Sequence, residues 1–180
     1  MDDKQRTRTS KFISKVLRHE PESVGLVLEP GGWVLISDLL SGLARAGTRV
    51  SHEELDIVVE RCEKQRFSVD ESGSKIRANQ GHSAEVELQF EQMEPPPELF
   101  HGTTHRTLPN ILRDGLLKMA RHHVHLSADT STAAKVGGRH GKPVVLIVDA
   151  AKMRADGHIF YRSVNGVWLV DQVPAQYLRV

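Results

Sequence analysis

The sequence predicts an α+β fold in two lobes, and three observations predict it. Glu94-Pro95-Pro96-Pro97-Glu98 holds three consecutive prolines, which exclude helix interior and favour an extended linker. Before that run, apolar residues recur mainly at helical spacing. After it, the pattern shifts to short apolar stretches separated by turn signals. The expected lobes are residues 1–93 and 94–180.

In the first lobe, residues 8–18 place Phe12, Ile13, Val16 and Leu17 on one helical face and Arg8, Lys11, Lys15 and Arg18 on another. Pro21 ends that helix or follows its end. Ser37 is the expected cap of a second helix, which carries Leu39, Leu40 and Leu43 and stops near Gly47. Ser51-His52-Glu53-Glu54 reads as a capping box opening a third helix with Leu55, Val58, Val59 and Cys62. Arg66–Val69 and Lys75–Ala78 flank Asp70-Glu71-Ser72-Gly73, a hairpin signal. Three helices followed by a hairpin is the order of a winged helix. Such modules often bind nucleic acid, although the fold alone defines no function.

In the second lobe, Glu98–His101 and His123–Ser127 are short strand candidates, and Pro143–Val148 is a buried strand rich in Val and Ile. Ile159–Tyr161 and Val167–Val170 are two more, with Asn165-Gly166 as the turn between them. Leu108–Asp114 and Ser131–Val136 are expected to be short helices.

The 180 residues are 39% hydrophobic and 26% charged, ordinary for a globular protein. No apolar run approaches the length of a membrane span, and Met1–Arg6 has no hydrophobic stretch behind it, so no signal peptide is expected. The single cysteine, Cys62, excludes an intrachain disulfide and fits a reducing, cytoplasmic setting. The net charge of +1 hides an uneven distribution. Residues 1–18 carry six Lys/Arg against Asp2 and Asp3, residues 81–100 carry five Glu and no Lys or Arg, and residues 101–142 carry seven Lys/Arg against Asp114 and Asp129. Two basic regions around an acidic one suit a polyanionic partner, or are ordinary surface scatter.

Four cationic residues in three contexts stand out: Arg18 and His19, Arg66 in Lys64-Gln65-Arg66-Phe67, and Arg121 in Arg121-His122-His123-Val124-His125. Arginine offers a planar bidentate fork and histidine a donor with a titratable proton, so the set would bind a phosphate if it converged. Taken singly, each has a plainer reading. Arg18-His19 caps a helix C-terminus against the dipole, and Arg66 is a solvated edge residue. Arg77 reads as an RNA backbone contact or as a wing-tip charge. His123 and His125 would share a face of a strand that His101 could join, but no metal-ligand spacing is present and no metal is expected. Phe100-His101-Gly102-Thr103 places a ring, a permissive glycine and a hydroxyl at the end of a strand, which suits a flat ligand whose amide pairs with backbone. Gly137-Gly138-Arg139-His140-Gly141 either approaches phosphates or is a flexible loop.

Taken in order, these segments resemble one family, the RNA 2′-phosphotransferases, called Tpt1 in eukaryotes and KptA in bacteria. The matching pieces are Ser14–His19, Gly32-Trp33-Val34, Lys64–Phe67, Ile76–Ser83, Phe100–Thr103, Arg121–Ser127 and the C-terminal Trp168-Leu169, Val173-Pro174 and Tyr177-Leu178. The resemblance implies a winged-helix lobe followed by an ADP-ribosyltransferase-like lobe. It implies NAD as a consumed co-substrate and 2′-phosphorylated RNA or tRNA as substrate, with neither a metal nor an obligate protein partner. The implied reaction has two steps, through an ADP-ribosylated 2′-phosphate, and ends in RNA with a 2′-hydroxyl, nicotinamide and ADP-ribose 1″,2″-cyclic phosphate. Arg18, His19 and Arg66 would grip the RNA phosphate and Arg121 would stabilise phosphoryl transfer. His101, Gly102, Thr103 and Ser127 would line the NAD site, with Gly138 and Arg139 beside it. Two other readings compete. One is an ADP-ribosyltransferase that stops after the first step; the other is a winged-helix nucleic-acid-binding protein without activity.

Overall fold

The computed structural model describes residues 1–180, with His140 described by its backbone alone. The chain mixes α and β structure and divides into two compact units, Met1–Gln89 and Phe90–Val180. The division falls ahead of the proline run because Glu91 and Gln92 pair with a strand of the second unit.

The first unit opens on α1 (Asp3–His19), whose cap Asp2 accepts the Gln5 N–H at 2.7 Å. This helix begins five residues before its amphipathic pattern does, because an N-cap supports a polar first turn that buries nothing. Pro21 follows it and starts a single 3-10 turn, Pro21–Val24. Next come β1 (Trp33–Leu35), α2 (Ile36–Arg45) and α3 (His52–Glu60), then the hairpin of β2 (Phe67–Val69) and β3 (Lys75–Ala78). The expected cap on α2 needs correction. Ser37 lies inside the first turn, and the cap position is Leu35, which has no capping side chain. The chain passes straight from β1 into α2, and the Ser74 carbonyl just ahead of β3 takes the Ile36 N–H at 2.9 Å. The capping box at Ser51 and Glu54 is present. Strand β1 was not legible in the sequence: it joins the hairpin in an antiparallel sheet of order β1-β3-β2, with Trp33 opposite Arg77. Ile13, Leu17, Leu39, Leu43, Leu55 and Ile76 are fully buried and form the core that helices and sheet share.

The second unit runs β4 (Glu91–Gln92), β5 (Glu98–Thr104), α4 (Leu108–Asp114), β6 (Leu116–Leu117), β7 (Val124–Leu126), α5 (Thr130–Gly137), β8 (Pro143–Asp149), α6 (Ala150–Ala155), β9 (Phe160–Arg162), β10 (Trp168–Val170), β11 (Gln172–Val173) and β12 (Leu178–Arg179). Its antiparallel sheets have the orders β12-β8-β5 and β4-β9-β10-β7, with a small pair β11-β6. Strand β5 pairs with β8 over seven positions, from Glu98–Asp149 to Thr104–Pro143. A two-way backbone bridge between Phe100 and Ser127 ties β5 to the end of β7. Leu99, Leu126, Leu146, Val148, Met153 and Phe160 fill the core between these layers.

Helix α5 presses on the middle of β5. A Cβ on Gly102 would lie 1.7 Å from the Ala133 carbonyl oxygen, and one on Gly137 would lie 2.8 Å from the Thr103 carbonyl oxygen. Neither glycine has a positive φ, so what they supply is room for close backbone approach.

Candidate active site

Two groups of polar residues gather, one in each unit. In the first unit, α1 presents Ser10, Ser14 and Arg18 at i, i+4 and i+8, hence on one face; both serines are buried. Arg66 reaches this face, with Nη1 donating to Ser10 Oγ at 3.3 Å and to Cys62 Sγ at 3.5 Å. Burial opposes ionisation of the Cys62 thiol, but the bonds and charge of Arg66 outweigh it and hold its pKa below the usual value. The backbone preceding Arg66 is fixed by buried Asn79, whose amide donates to the Gln65 carbonyl at 2.7 Å while its own N–H bonds the Arg66 carbonyl at 2.9 Å. At the end of α1, the Arg18 carbonyl accepts the N–H groups of Ser83 and Ala84, and His19 Nδ1 lies 2.8 Å from Ser83 Oγ. Arg18 Nε and Nη2 are shielded from solvent. The structure thus brings Arg18, His19 and Arg66 to one helix and the segments that brace it.

In the second unit, Arg121 Nη1 lies 3.3 Å from His125 Nδ1, and His101 Nδ1 lies 3.1 Å from the His125 carbonyl oxygen. Chemistry settles the protons. A guanidinium only donates, so His125 Nδ1 accepts and its ring proton sits on Nε2. A carbonyl only accepts, so His101 Nδ1 donates, and a neutral His101 keeps a lone pair on Nε2. Burial is the main cause that lowers the His101 pKa, with the Arg121 charge adding to it against the pull of the His125 carbonyl, so the ring is neutral at pH 7. Arg121 follows a turn in which its N–H bonds the Lys118 carbonyl at 3.0 Å.

Thr103 is buried and its hydroxyl shares a 2.7 Å bond with Thr107. Ser127 sits opposite Phe100 through the two-way bridge, so the backbone N–H and C=O of Gly102, two residues along β5, face that same edge. Gly138 and Arg139 follow α5 directly and are exposed; a Cβ on Gly138 would meet only Pro143, at 4.0 Å. The structure therefore brings together Arg121, His101, Gly102, Thr103 and Ser127, with Gly138 adjoining.

Sequence reasoning left two contributors without a role. His125, read only as a residue that could share a strand face with His101 or be a hydrogen-bonded ring, links Arg121 to His101. Gly137 carries the α5 contact and hid within a glycine-rich stretch. His123 does not join the array: its ring stacks edge-on with Phe90 and Tyr161. Among the described residues, the two non-glycine positions with positive φ are Gln65 (φ 41°) and Met119 (φ 54°). One precedes Arg66 and the other stands two residues before Arg121. Left-handed backbone is disfavoured for such side chains and concentrates where a turn must aim a functional group.

The family model described as RNA 2′-phosphotransferase, Tpt1/KptA family, matches residues 4–172. Curated relatives named probable RNA 2′-phosphotransferase include one from Nostoc punctiforme, 54% identical over 99% of both chains. One from Trichormus variabilis is 55% identical over 100% of this chain and 99% of its own. One from Agrobacterium fabrum is 56% identical over 97% of this chain and 94% of its own. The chain belongs to the RNA 2′-phosphotransferase family, Tpt1/KptA type. No helix among the described residues is long and apolar enough to cross a membrane.

Proposed function

We propose that the protein is an NAD-dependent RNA 2′-phosphotransferase that removes an internal 2′-phosphate, of the kind left at a tRNA splice junction, in the cytoplasm. In this reading the first unit is a winged-helix RNA-binding lobe and the second an ADP-ribosyltransferase-like lobe. The observation that carries the proposal is the array along β5: a neutral His101, a buried Thr103, the edge-facing backbone of Gly102 and the Arg121 cation. A carboxamide supplies both a donor and an acceptor to a strand edge, and ribose hydroxyls suit an imidazole lone pair, so the array fits the nicotinamide riboside end of NAD. Ser127, Gly138 and Arg139 would complete the cofactor side. NAD supplies a glycosidic carbon that becomes electrophilic as nicotinamide departs.

The phosphate monoester of the RNA is ionised at neutral pH, so it needs aiming more than activation. Arg18, His19 and Arg66 aim it. One of its oxygens bonds to the ribose C1″ as the bond to nicotinamide breaks, and nicotinamide leaves with the electron pair. In the second step the 2″-hydroxyl oxygen bonds to phosphorus, the bond to the RNA 2′-oxygen breaks, and the proton lost by the hydroxyl ends on that oxygen. Charge builds on the phosphoryl oxygens there, and Arg121 is the cation assigned to them.

Incubation of 2′-phosphorylated RNA with and without NAD tests this. Loss of the phosphate only with NAD is expected, unaffected by a chelator. Stable ADP-ribosylated RNA would mean the enzyme stops after one step, and binding without turnover would mean an RNA-binding protein.

A further inference from the structure

Trp33 has no role in either group of site residues, and Arg77, which the sequence offers as an RNA backbone contact or a wing-tip charge, belongs to neither. They stand opposite one another across β1 and β3, with the Arg77 guanidinium carbon 4.5 Å from the Trp33 ring centroid. Both side chains are partly exposed. Arg77 Nη1 donates to the Gly31 carbonyl at a long 3.4 Å, and Nε has no hydrogen-bond partner among the described residues. Burial is the one cause that shifts the Arg77 pKa, downward; no carboxylate contributes. Two residues away on the same strand, Lys75 is held by Glu29 at 2.6 Å. A guanidinium stacked on an indole, with one stretched bond and an unmet donor, gives up little when an anion draws it forward.

The surroundings connect this pair to the Arg18–His19 end of α1 within the same unit. Gly31 and Gly32 both have positive φ, +83° and +78°. A Cβ on Gly31 would lie 3.0 Å from the Trp33 ring, and one on Gly32 would lie 3.1 Å from His82 Nε2. The loop is thus moulded to Trp33 on one side and to fully buried His82 on the other. His82 precedes Ser83, the partner of His19. The buried loop and the His82–Ser83 segment thus link the stack to the helix end that carries Arg18 and His19 within this unit.

We propose that Trp33 and Arg77 form a nucleotide subsite for single-stranded RNA, taking a nucleotide that flanks the 2′-phosphorylated one. The flanking base stacks on the Trp33–Arg77 pair and its phosphodiester draws on the guanidinium. Only an unpaired base has a free face to offer, which selects single strands over duplex. The proposal rests on the reading of RNA as substrate.

The test uses the full chain and a fluorescein-labelled single-stranded hexaribonucleotide without a 2′-phosphate, read by anisotropy in the absence of NAD. Wild type binds it, and Trp33→Leu or Arg77→Gln weakens binding on the order of ten-fold. Trp33→Phe, which keeps a ring, retains most of the affinity. A 2′-phosphorylated hexamer loses affinity by the same factor, because the subsite does not touch that phosphate. Melting curves accompany each variant. If Trp33→Leu fails to fold, Arg77→Lys, which keeps the charge and loses the planar fork, decides by showing the same loss. Unchanged binding in folded Arg77→Gln and Arg77→Lys, or a wild type that does not bind the hexamer, overturns the proposal. Hexamer binding that depends on Trp33 in a protein that leaves 2′-phosphorylated RNA unreacted would overturn the functional reading and leave this subsite standing.

Discussion

Arg121 depends on an accepting nitrogen at His125. The bond forms only while His125 is neutral at Nδ1, since a doubly protonated ring would face the guanidinium with another N–H. In the proposed chemistry, Arg121→Ala slows the second step more than the first, on the order of 100–1,000-fold for a preorganised charge. ADP-ribosylated RNA then accumulates in single-turnover assays and is seen as a mass or mobility shift; slow consumption with no accumulation would remove Arg121 from that step. Arg18→Ala impairs both steps, because one phosphate is nucleophile in the first and electrophile in the second. His101 adds an acid limit. Burial depresses its folded-state pKa below the ordinary value of about 6.5, so on acidification the unfolded chain takes the proton first. Its contribution to stability is complete above about pH 6.5 and is lost as pH falls from there through the folded-state pKa. His123 shifts in the same direction, chiefly through burial. The melting temperature therefore drops between pH 7 and 5.5, and His101→Gln flattens that drop; an equal slope in the variant would contradict it.

At the scale of elements, the site hangs on the contact between α5 and β5. Gly102→Ala drives a methyl into the Ala133 carbonyl, backbone against backbone, where no rotamer gives relief. The expected destabilisation is about 3 kcal/mol, at the upper end for overpacking, measured by denaturant unfolding, and Gly138→Ala serves as the harmless neighbour. Ser51→Ala removes one arm of the α3 capping box and is expected to cost about 1 kcal/mol. These contacts also explain what the sequence could convey. Elements that carry their own signal were legible: the apolar face of α1, the Ser51–Glu54 box, the Asp70–Gly73 turn and the Val-rich run of β8. Strands β1, β4, β6, β11 and β12 hold two or three residues each and exist by virtue of their partners, so no local pattern announces them. The Ser37 cap was misplaced because the Ser74 carbonyl, distant in sequence, does the satisfying. Arg18, Arg66, His101 and Arg121 stood out by their chemistry, but singly each had a plainer reading, and the family resemblance gave them their expected roles. The His125 link could not be read, since it joins a ring to one neighbour and a carbonyl to another across two strands. The reason for Gly102 was likewise hidden, because α5 is invisible from within the His-Gly-Thr segment.

The molecule divides its chemistry between its units. The first holds Arg18 and His19 at the end of α1, with Arg66 bonded to Ser10 and Cys62; the second holds a neutral His101, the edge of β5 and Arg121 joined through His125. The Tpt1/KptA family match spans both units, and in the proposed reading the first grips the RNA phosphate and the second holds NAD. In the proposed reading RNA is held by Lys and Arg contacts, so affinity for 2′-phosphorylated RNA falls steeply between 50 and 200 mM salt, by roughly ten-fold or more for a few phosphates neutralised; a flat salt profile would argue against it. In the proposed reaction the phosphate leaves on ADP-ribose, and mass analysis of the small products of one turnover on 2′-phosphorylated RNA with NAD shows whether it does. The expected products are nicotinamide and ADP-ribose 1″,2″-cyclic phosphate in equal amounts, with the RNA left as a 2′-hydroxyl. Release of inorganic phosphate in the absence of NAD would contradict it.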